Sequence, residues 1–385
     1  MTAPIRIAFP PVGGAIWTGG QNWLGNLLRM LCDHALDRVQ PVLMVDADYA
    51  PAMVAELEAR GVEVVRDAMF GSAARRKRLP KTLLTGCDTA ALARYRRHAI
   101  DVVFESADYH GWRFPVPTLS WFPDFQHQHL PHMFGKTAWW RREIGFRLTL
   151  ARQSHILLSS QDAASDLRRF YPKAKAAVHV VPFAVPAPAR LPPQAIEAQR
   201  QQAGVPPRWF FLPNHFWQHK NHRLAVAATA QAVRDCPDLT VVCTGNPHDP
   251  RNPSAFAALR TDIDRLGLGD RFLILGLVPY AQVEALLQGA DAMINPSLFE
   301  GWSTPVEEAK AIGKPMILSD LPVHREQAGD TARYFDRSDP SDLARVMVAA
   351  WTENARAMAP KVDNKADLAR FADRFAAAAI AAAGG

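Results

Sequence analysis

Cysteine is scarce in this sequence, and the four present (Cys32, Cys87, Cys236 and Cys243) stand singly. Without a Cys-x-x-Cys pair there is neither a disulfide framework nor a zinc pattern to expect. No apolar run reaches the roughly 18 residues of a membrane-spanning helix. The N-terminus, Met-Thr-Ala-Pro-Ile-Arg-Ile-Ala-Phe, has no basic start followed by a long apolar core, so no signal peptide is expected and the cytoplasm is the expected compartment. Two phosphate motifs are also missing. There is no Gly-x-Gly-x-x-Gly and no Gly-Lys-Ser/Thr, which leaves a nicotinamide-dependent dehydrogenase or a P-loop enzyme without its fingerprint.

What is present is a chain of 385 residues, 48% hydrophobic and 21% charged, enough to build two domains with buried cores. The net charge of +6 is unevenly placed: residues 66–147 hold fourteen Lys/Arg against seven Asp/Glu. A basic half-domain of this kind faces either solvent or an anionic partner, and no nucleic-acid motif accompanies it. Arg75-Arg76-Lys77-Arg78 reads as a solvated polar connection. Helical residues 136–152 interleave Trp139, Trp140 and Phe146 with Arg141, Arg142, Arg147 and Arg152. That pattern fits either an anionic membrane surface or a core-packing helix with a basic outer side.

Short apolar runs alternate with helical periodicity along most of the chain, which predicts mostly parallel, doubly wound α/β sheets. Ile5–Phe9 is the first strand. A loop with Gly13, Gly14, Gly19 and Gly20 follows, and a helix is expected from Gln21. Glycines there let a ligand approach the backbone. Pro182, Pro186, Pro188, Pro192 and Pro193 form a stiff connector, with Pro172 just upstream. The expected division is a first domain 1–183, a linker 184–204, a second domain 205–364 and a final helix 365–385. Asp46-Ala47-Asp48 resembles an Asp-x-Asp metal signature but reads better as an acidic strand end.

One stretch concentrates chemistry. In residues 294–313 a buried strand ends at Asn295-Pro296, and a loop carries Glu300 and Gly301. A helix is then predicted, with Thr304 as N-cap, Pro305 at the first helical position, Glu307 completing a capping box and Gly313 ending it. Helix N-termini attract phosphate, and Glu300 and Glu308 can accept hydrogen bonds from hydroxyls. A ligand with phosphates and hydroxyls, such as a nucleotide sugar, fits this layout; so does an ordinary capped surface helix. Two further loops follow predicted strands: Trp121-Phe-Pro-Asp-Phe-Gln-His127, with His129 and His132 beyond it, and Asn214-His-Phe-Trp-Gln-His-Lys-Asn-His222. The three histidines lack an enforced tetrahedral geometry, so no metal is expected.

These loops, with Trp17-Thr-Gly-Gly20 and Phe299-Glu-Gly-Trp-Ser-Thr-Pro-Val-Glu-Glu-Ala-Lys310, resemble the retaining glycosyltransferases of the GT-B fold, family GT4 (glycosyltransferase group 1). The resemblance implies two Rossmann-like doubly wound domains facing across a cleft, with the C-terminal helix returning to the first. It implies transfer of a hexose or deoxyhexose from a nucleotide diphosphate sugar to a glycan or lipid-linked acceptor, with retention, in bacterial surface polysaccharide or lipopolysaccharide synthesis. No cofactor beyond that co-substrate is implied.

Residue by residue, the resemblance puts Glu300 and the backbone of Gly301, Trp302, Ser303 and Thr304 at the sugar and Glu308 at the ribose. Lys220 pairs with the diphosphate, Gly276 to Val278 meet the base, Gly19 and Gly20 approach the phosphates, and His127 faces the sugar. Asn214 stands where the family often has arginine, and His219 is the neighbour placed to compensate. Peripheral contact with the inner face of an anionic membrane is the partner expected beyond donor and acceptor. A sugar-nucleotide epimerase of the same fold and a catalytically silent GT-B scaffold are the competing readings.

Overall fold

The computed structural model describes residues 3–12, 18–106, 108–152, 155–353 and 363–384. Gly13, Gly14 and Trp17 of the glycine loop lie outside them. The chain divides into two compact units. The first comprises residues up to Phe125, Thr137–Phe183 and the C-terminal helix; the second comprises Gln126–Lys136 and Ala184–Asn364.

The first unit is built on a seven-stranded sheet. Its strands in chain order are β1 (Ile5–Phe9), β2 (Val39–Val45), β3 (Glu63–Arg66), β4 (Val102–Glu105), β5 (Thr118–Trp121), β6 (His155–Leu158) and β7 (Ala177–Val180). They lie in the order β3-β2-β1-β4-β5-β6-β7, and every pairing is parallel. The central strands are buried on both faces, as a parallel sheet between helices requires. The helix Thr18–His34 begins three residues earlier than periodicity predicts, so Gly19 and Gly20 occupy its first turn, Gly19 exposed and Gly20 buried. The helix Lys365–Ala383 packs on Thr18–His34 and over the sheet, stacking Phe375 on Phe9 at 5.8 Å between ring centroids. Its fully buried alanines, Ala372, Ala376 and Ala379, leave room for that close approach.

Arg75–Arg78 do not lie in an irregular connection. They belong to a helix, Ser72–Thr85, which tolerates Pro80 inside it and ends at Gly86 in the left-handed conformation (φ +78°). A left-handed residue after the last turn is the usual helix stop.

The second unit carries six strands: β8 (Phe210–Leu212), β9 (Val241–Cys243), β10 (Phe272–Ile274), β11 (Ala292–Asn295), β12 (Met316–Ser319) and β13 (Ala332–Phe335). Their order is β10-β9-β8-β11-β12-β13, again parallel throughout. Strand β13 and the helix Pro322–Ala328 were not visible in the apolar pattern. Only Phe335 of β13 is buried, because it is an edge strand. Within residues 184–204 lies a helix, Pro193–Gln202, seated against Tyr280–Gly289. A Cβ on Gly289 would come within 2.7 Å of both Ile196 and Trp209, so glycine sets how close that helix sits. Gln288 fastens the preceding segment by accepting from Leu191 N–H at 2.9 Å and donating to the Ala189 carbonyl at 3.0 Å.

Candidate active site

In a doubly wound parallel sheet the loops at the carboxyl ends of the strands converge on one edge. In the second unit these loops are interlocked. Gly245, after β9, has φ +144°, and a Cβ there would stand 2.4 Å from the Asn214 carbonyl oxygen of the loop after β8. Its N–H donates to Gly276 O at 2.8 Å, joining the loop after β10. Gly276 itself is left-handed (φ +70°), and Leu277 and Tyr280 beyond it are exposed while Val278 is half-buried.

The loop after β11 places Glu300. Leu298 N–H donates to His219 O at 2.8 Å, which brings the turn Gln218–Lys220 against the loop, and Lys220 Nζ reaches Glu300 Oε1 at 2.7 Å. The side chains of this pair are 13% and 8% exposed. Ser297 Oγ lies 2.6 Å from Glu300 Oε1 and 2.7 Å from Asn295 Oδ1, so its single proton is shared between two acceptors. Burial pushes the Glu300 carboxyl upward, but the Lys220 charge and hydrogen bond outweigh it and bring the value down to about 2, with His219 and His324 contributing. Burial in turn pushes His324 below its ordinary value, so Lys220 is the cation that matters at neutral pH.

Glu308 meets a different environment on the helix Thr304–Ala311. The residue is half-buried, and desolvation raises its carboxyl to about 7, against a hydrogen bond from Tyr280 Oη at 3.0 Å and with help from the Glu284 charge. The two acids thus differ in charge behaviour: Glu300 is held ionised, and Glu308 is poised to titrate.

The helix N-terminus departs from the expected capping box. Its N-cap is Ser303, Thr304 is already helical, and no side chain caps it from within. Gln327 does so from the helix Pro322–Ala328, accepting from Ser303 N–H at 2.9 Å and donating to Ser303 O at 3.1 Å and Glu307 Oε1 at 3.0 Å. Ser303 N–H is therefore already committed, and Ser303 Oγ accepts from Asn295 Nδ2 at 2.9 Å. Gly301, Trp302 and Thr304 remain half-exposed beside it. At the other end Gly313 (φ +68°) closes a Schellman turn, with Lys314 N–H donating to Ala309 O at 2.8 Å.

Asn214 is buried, and its amide donates to Asn295 Oδ1 at 3.4 Å, under the floor of the site. His127 is wholly buried in the short helix Gln126–His129; it is His129 that lies against the Glu300 loop, 5.1 Å from the Phe299 ring. Gly19 and Gly20 belong to the first unit.

Several residues of the site carried no sequence signal. Arg251, in a proline-flanked loop, donates to His219 Nδ1 and to Gln126 Oε1, each at 3.0 Å, and lies over the rings of Phe134 and Trp217. His324 hydrogen-bonds through Nδ1 to Ser319 O at 2.9 Å and leaves Nε2 buried without a partner among the described residues. Among the described residues no group of three or more His, Cys, Asp or Glu is arranged to hold a metal ion.

The model of the family described as Glycosyl transferases group 1 matches residues 195–365, which span this constellation. Residues 195–365 are similar to that family. Curated relatives of the chain include O-antigen chain mannosyltransferase RfbU of Salmonella typhimurium, 29% identical over 34% of this chain and 35% of the relative. The MMP alpha-(1->4)-mannosyltransferase of Mycolicibacterium hassiacum is 28% identical over 54% of this chain and 50% of the relative. The chain thus aligns with half or less of each of these two proteins. Solved structures share the fold. Anabaena Alr3699/HepE in complex with UDP and glucose superposes with TM-score 0.64 at 17% identity, covering 98% of this chain and 95% of that one. WaaG, a glycosyltransferase involved in lipopolysaccharide biosynthesis, superposes with TM-score 0.60 at 14% identity, covering 97% and 99%. The fold is GT-B, with two Rossmann-like domains.

Proposed function

We propose that the protein is a retaining glycosyltransferase of the GT4 class. It moves a hexose or deoxyhexose from a nucleotide diphosphate sugar to a glycan or lipid-linked acceptor, in bacterial surface polysaccharide or lipopolysaccharide synthesis at the cytoplasmic face of the membrane. The observation that carries this reading is the buried Lys220–Glu300 pair, with Glu308 on the helix Thr304–Ala311 that follows it, within the residues the group 1 model matches. Lys220 holds the diphosphate and neutralises charge as it departs, Glu300 accepts from sugar hydroxyls, and Glu308 accepts from the ribose. The acceptor hydroxyl attacks C1 on the face the diphosphate leaves. The C1–O bond to phosphate breaks, and a phosphate oxygen takes the acceptor's proton, so neither a protein nucleophile nor a metal is required.

The test is a panel of nucleotide sugars offered to the wild type and to Lys220→Ala and Glu300→Ala, with product analysis of linkage. Both variants are expected to lose transfer while keeping their circular dichroism. Near-normal turnover by either overturns the assignment, and a sugar nucleotide isomerised without an acceptor would replace it with an epimerase.

A further inference from the structure

Glu308 enters the proposed donor site with one carboxylate oxygen already engaged. Tyr280 Oη donates to Oε1 at 3.0 Å, while Oε2 accepts from no group among the described residues. The two residues are fixed independently. Gly276 (φ +70°) turns the chain out of β10, and the helix Tyr280–Gly289 then starts on Pro279, whose carbonyl accepts from Gln282 N–H at 2.9 Å and from Val283 N–H at 3.2 Å. Glu308 lies one turn inside the helix Thr304–Ala311, whose entry Gln327 holds. Each helix therefore presents one side chain to the other, across twenty-eight residues of sequence.

A contact serving only to pack the two helices would be buried, yet Tyr280 is 58% exposed and Leu277 before it 67%. The hydroxyl is the part that is held. Burial of that tip and the neighbouring Glu308 charge push the phenol upward, so it stays a proton donor wherever Glu308 is ionised. Glu284, one turn further along the same helix, acts on both groups through its charge. A carboxylate grips a vicinal diol with one hydroxyl on each oxygen. With Oε1 taken and the tyrosine ring standing on that side, only Oε2 is left to accept.

We infer that Tyr280 restricts Glu308 to a single ribose hydroxyl, so that the protein reads one hydroxyl of a nucleoside diphosphate and tolerates loss of the other. The inference rests on the ribose role of Glu308 proposed above and goes beyond it by widening the substrate class. A deoxyribonucleoside diphosphate sugar that keeps the hydroxyl on Oε2 is bound as its ribonucleotide counterpart is. That hydroxyl donates to an ionised acceptor, and losing such a bond costs about tenfold or more in affinity. Losing the other hydroxyl removes a contact that Tyr280 has already taken.

The experiment is calorimetry on the full chain at about pH 8.5, above the range in which Glu308 titrates, with uridine and guanosine diphosphates and the 2′-deoxy and 3′-deoxy analogues of each. In wild type one analogue should bind within about twofold of its parent and the other about tenfold weaker or worse. In Tyr280→Ala both analogues should fall about tenfold below that variant's own parent, a ratio from which any lost contact with the ring cancels. Glu308→Gln should bring the parent and both analogues within about twofold of one another. These variants replace exposed and half-buried side chains and should keep wild-type circular dichroism. Wild type losing affinity with both analogues overturns the inference and leaves the ribose role of Glu308 standing, as does a selectivity that Tyr280→Ala does not change. Selectivity that persists in Glu308→Gln, or indifference of wild type to both analogues, sinks the ribose role itself, and binding of neither diphosphate sinks the donor site. The inference falls with either.

Discussion

Removing the Lys220 ammonium should destabilise the second unit by about 3 kcal/mol at neutral pH, and acidification should relieve the loss. Two routes lead to that size. The Glu300 carboxyl is brought from its ordinary 4.5 down to about 2, and a difference of this extent is worth roughly 3 kcal/mol. Breaking a buried ion pair by deleting one partner typically costs about 3–5 kcal/mol, because the other charge stays behind. The sign separates wild type from variant. In wild type the folded carboxyl lies below its unfolded value, so its contribution is complete above about pH 4.5 and is lost as pH falls through about 2. In Lys220→Ala the burial effect loses its main counterweight and raises the carboxyl. The variant then binds a proton more readily folded than unfolded, and its deficit shrinks as the pH is lowered from neutrality.

Because the chain has two units, the measurement should report on one of them. Hydrogen exchange at the Met293 and Ile294 amides of β11 does so. The double variant Lys220→Ala/Glu300→Ala should recover part of the loss, since neither charge then remains buried. A Lys220→Ala deficit under about 1 kcal/mol, or one that deepens on mild acidification, would refute the claim that this is a desolvated ion pair.

Glu308 predicts a pH profile of opposite sense. On the proposed function, nucleotide diphosphate affinity should strengthen as pH rises through about 7, because ribose hydroxyls donate more strongly to the carboxylate than to the neutral acid. By calorimetry Glu308→Gln should flatten that dependence, and Tyr280→Phe, which removes a bond to the ionised form, should move its midpoint upward. The same raised value makes the unliganded fold lose stability as pH climbs from about 4.5 through 7. Gly245→Ala should lower the melting temperature by the equivalent of about 1–3 kcal/mol, since a Cβ there meets Asn214 backbone; Gly267→Ala (φ +66°), with open space around it, should lose less. Gln327→Ala strands the Ser303 N–H and should cost about 1–3 kcal/mol in denaturant unfolding, with weaker nucleotide binding.

The legible part of the fold is the part that local rules govern. β1, β4, β5, β8, β11 and β12 are short apolar runs closed by turn residues, and each is visible without a partner. The helix Ser72–Thr85 was hidden by Pro80 and a run of cations, although Gly71 and Gly86 frame it. In the site, Glu300 and Glu308 stood out as two acids around a capped helix N-terminus, and Lys220 through the family resemblance. Their partners did not. Lys220 and Glu300 are eighty residues apart, and Gln327 takes the Ser303 N–H from twenty-four residues away. No periodicity encodes such pairings, which is why Ser303 reads as a free donor in the sequence and as a committed one in the fold. Arg251 was hidden for the same reason, its contact with His219 bridging thirty-two residues.

The committed pairings bear on what the proposed site can bind. Lys220 is not idle in the empty protein: its ammonium is the principal charge offsetting the burial of Glu300. A diphosphate that draws Lys220 toward itself weakens that bond and leaves Glu300 with Ser297, whose one proton Asn295 also claims. Leaving a buried carboxylate short of donors costs several kcal/mol. A ligand that brings hydroxyls to Glu300 as its diphosphate engages Lys220 makes good that loss, while a nucleoside diphosphate without its sugar does not. The pair therefore couples recognition of sugar to recognition of phosphate. On the proposed function, the intact nucleotide sugar should bind more tightly than the nucleotide product, and Glu300→Gln should erase most of the difference.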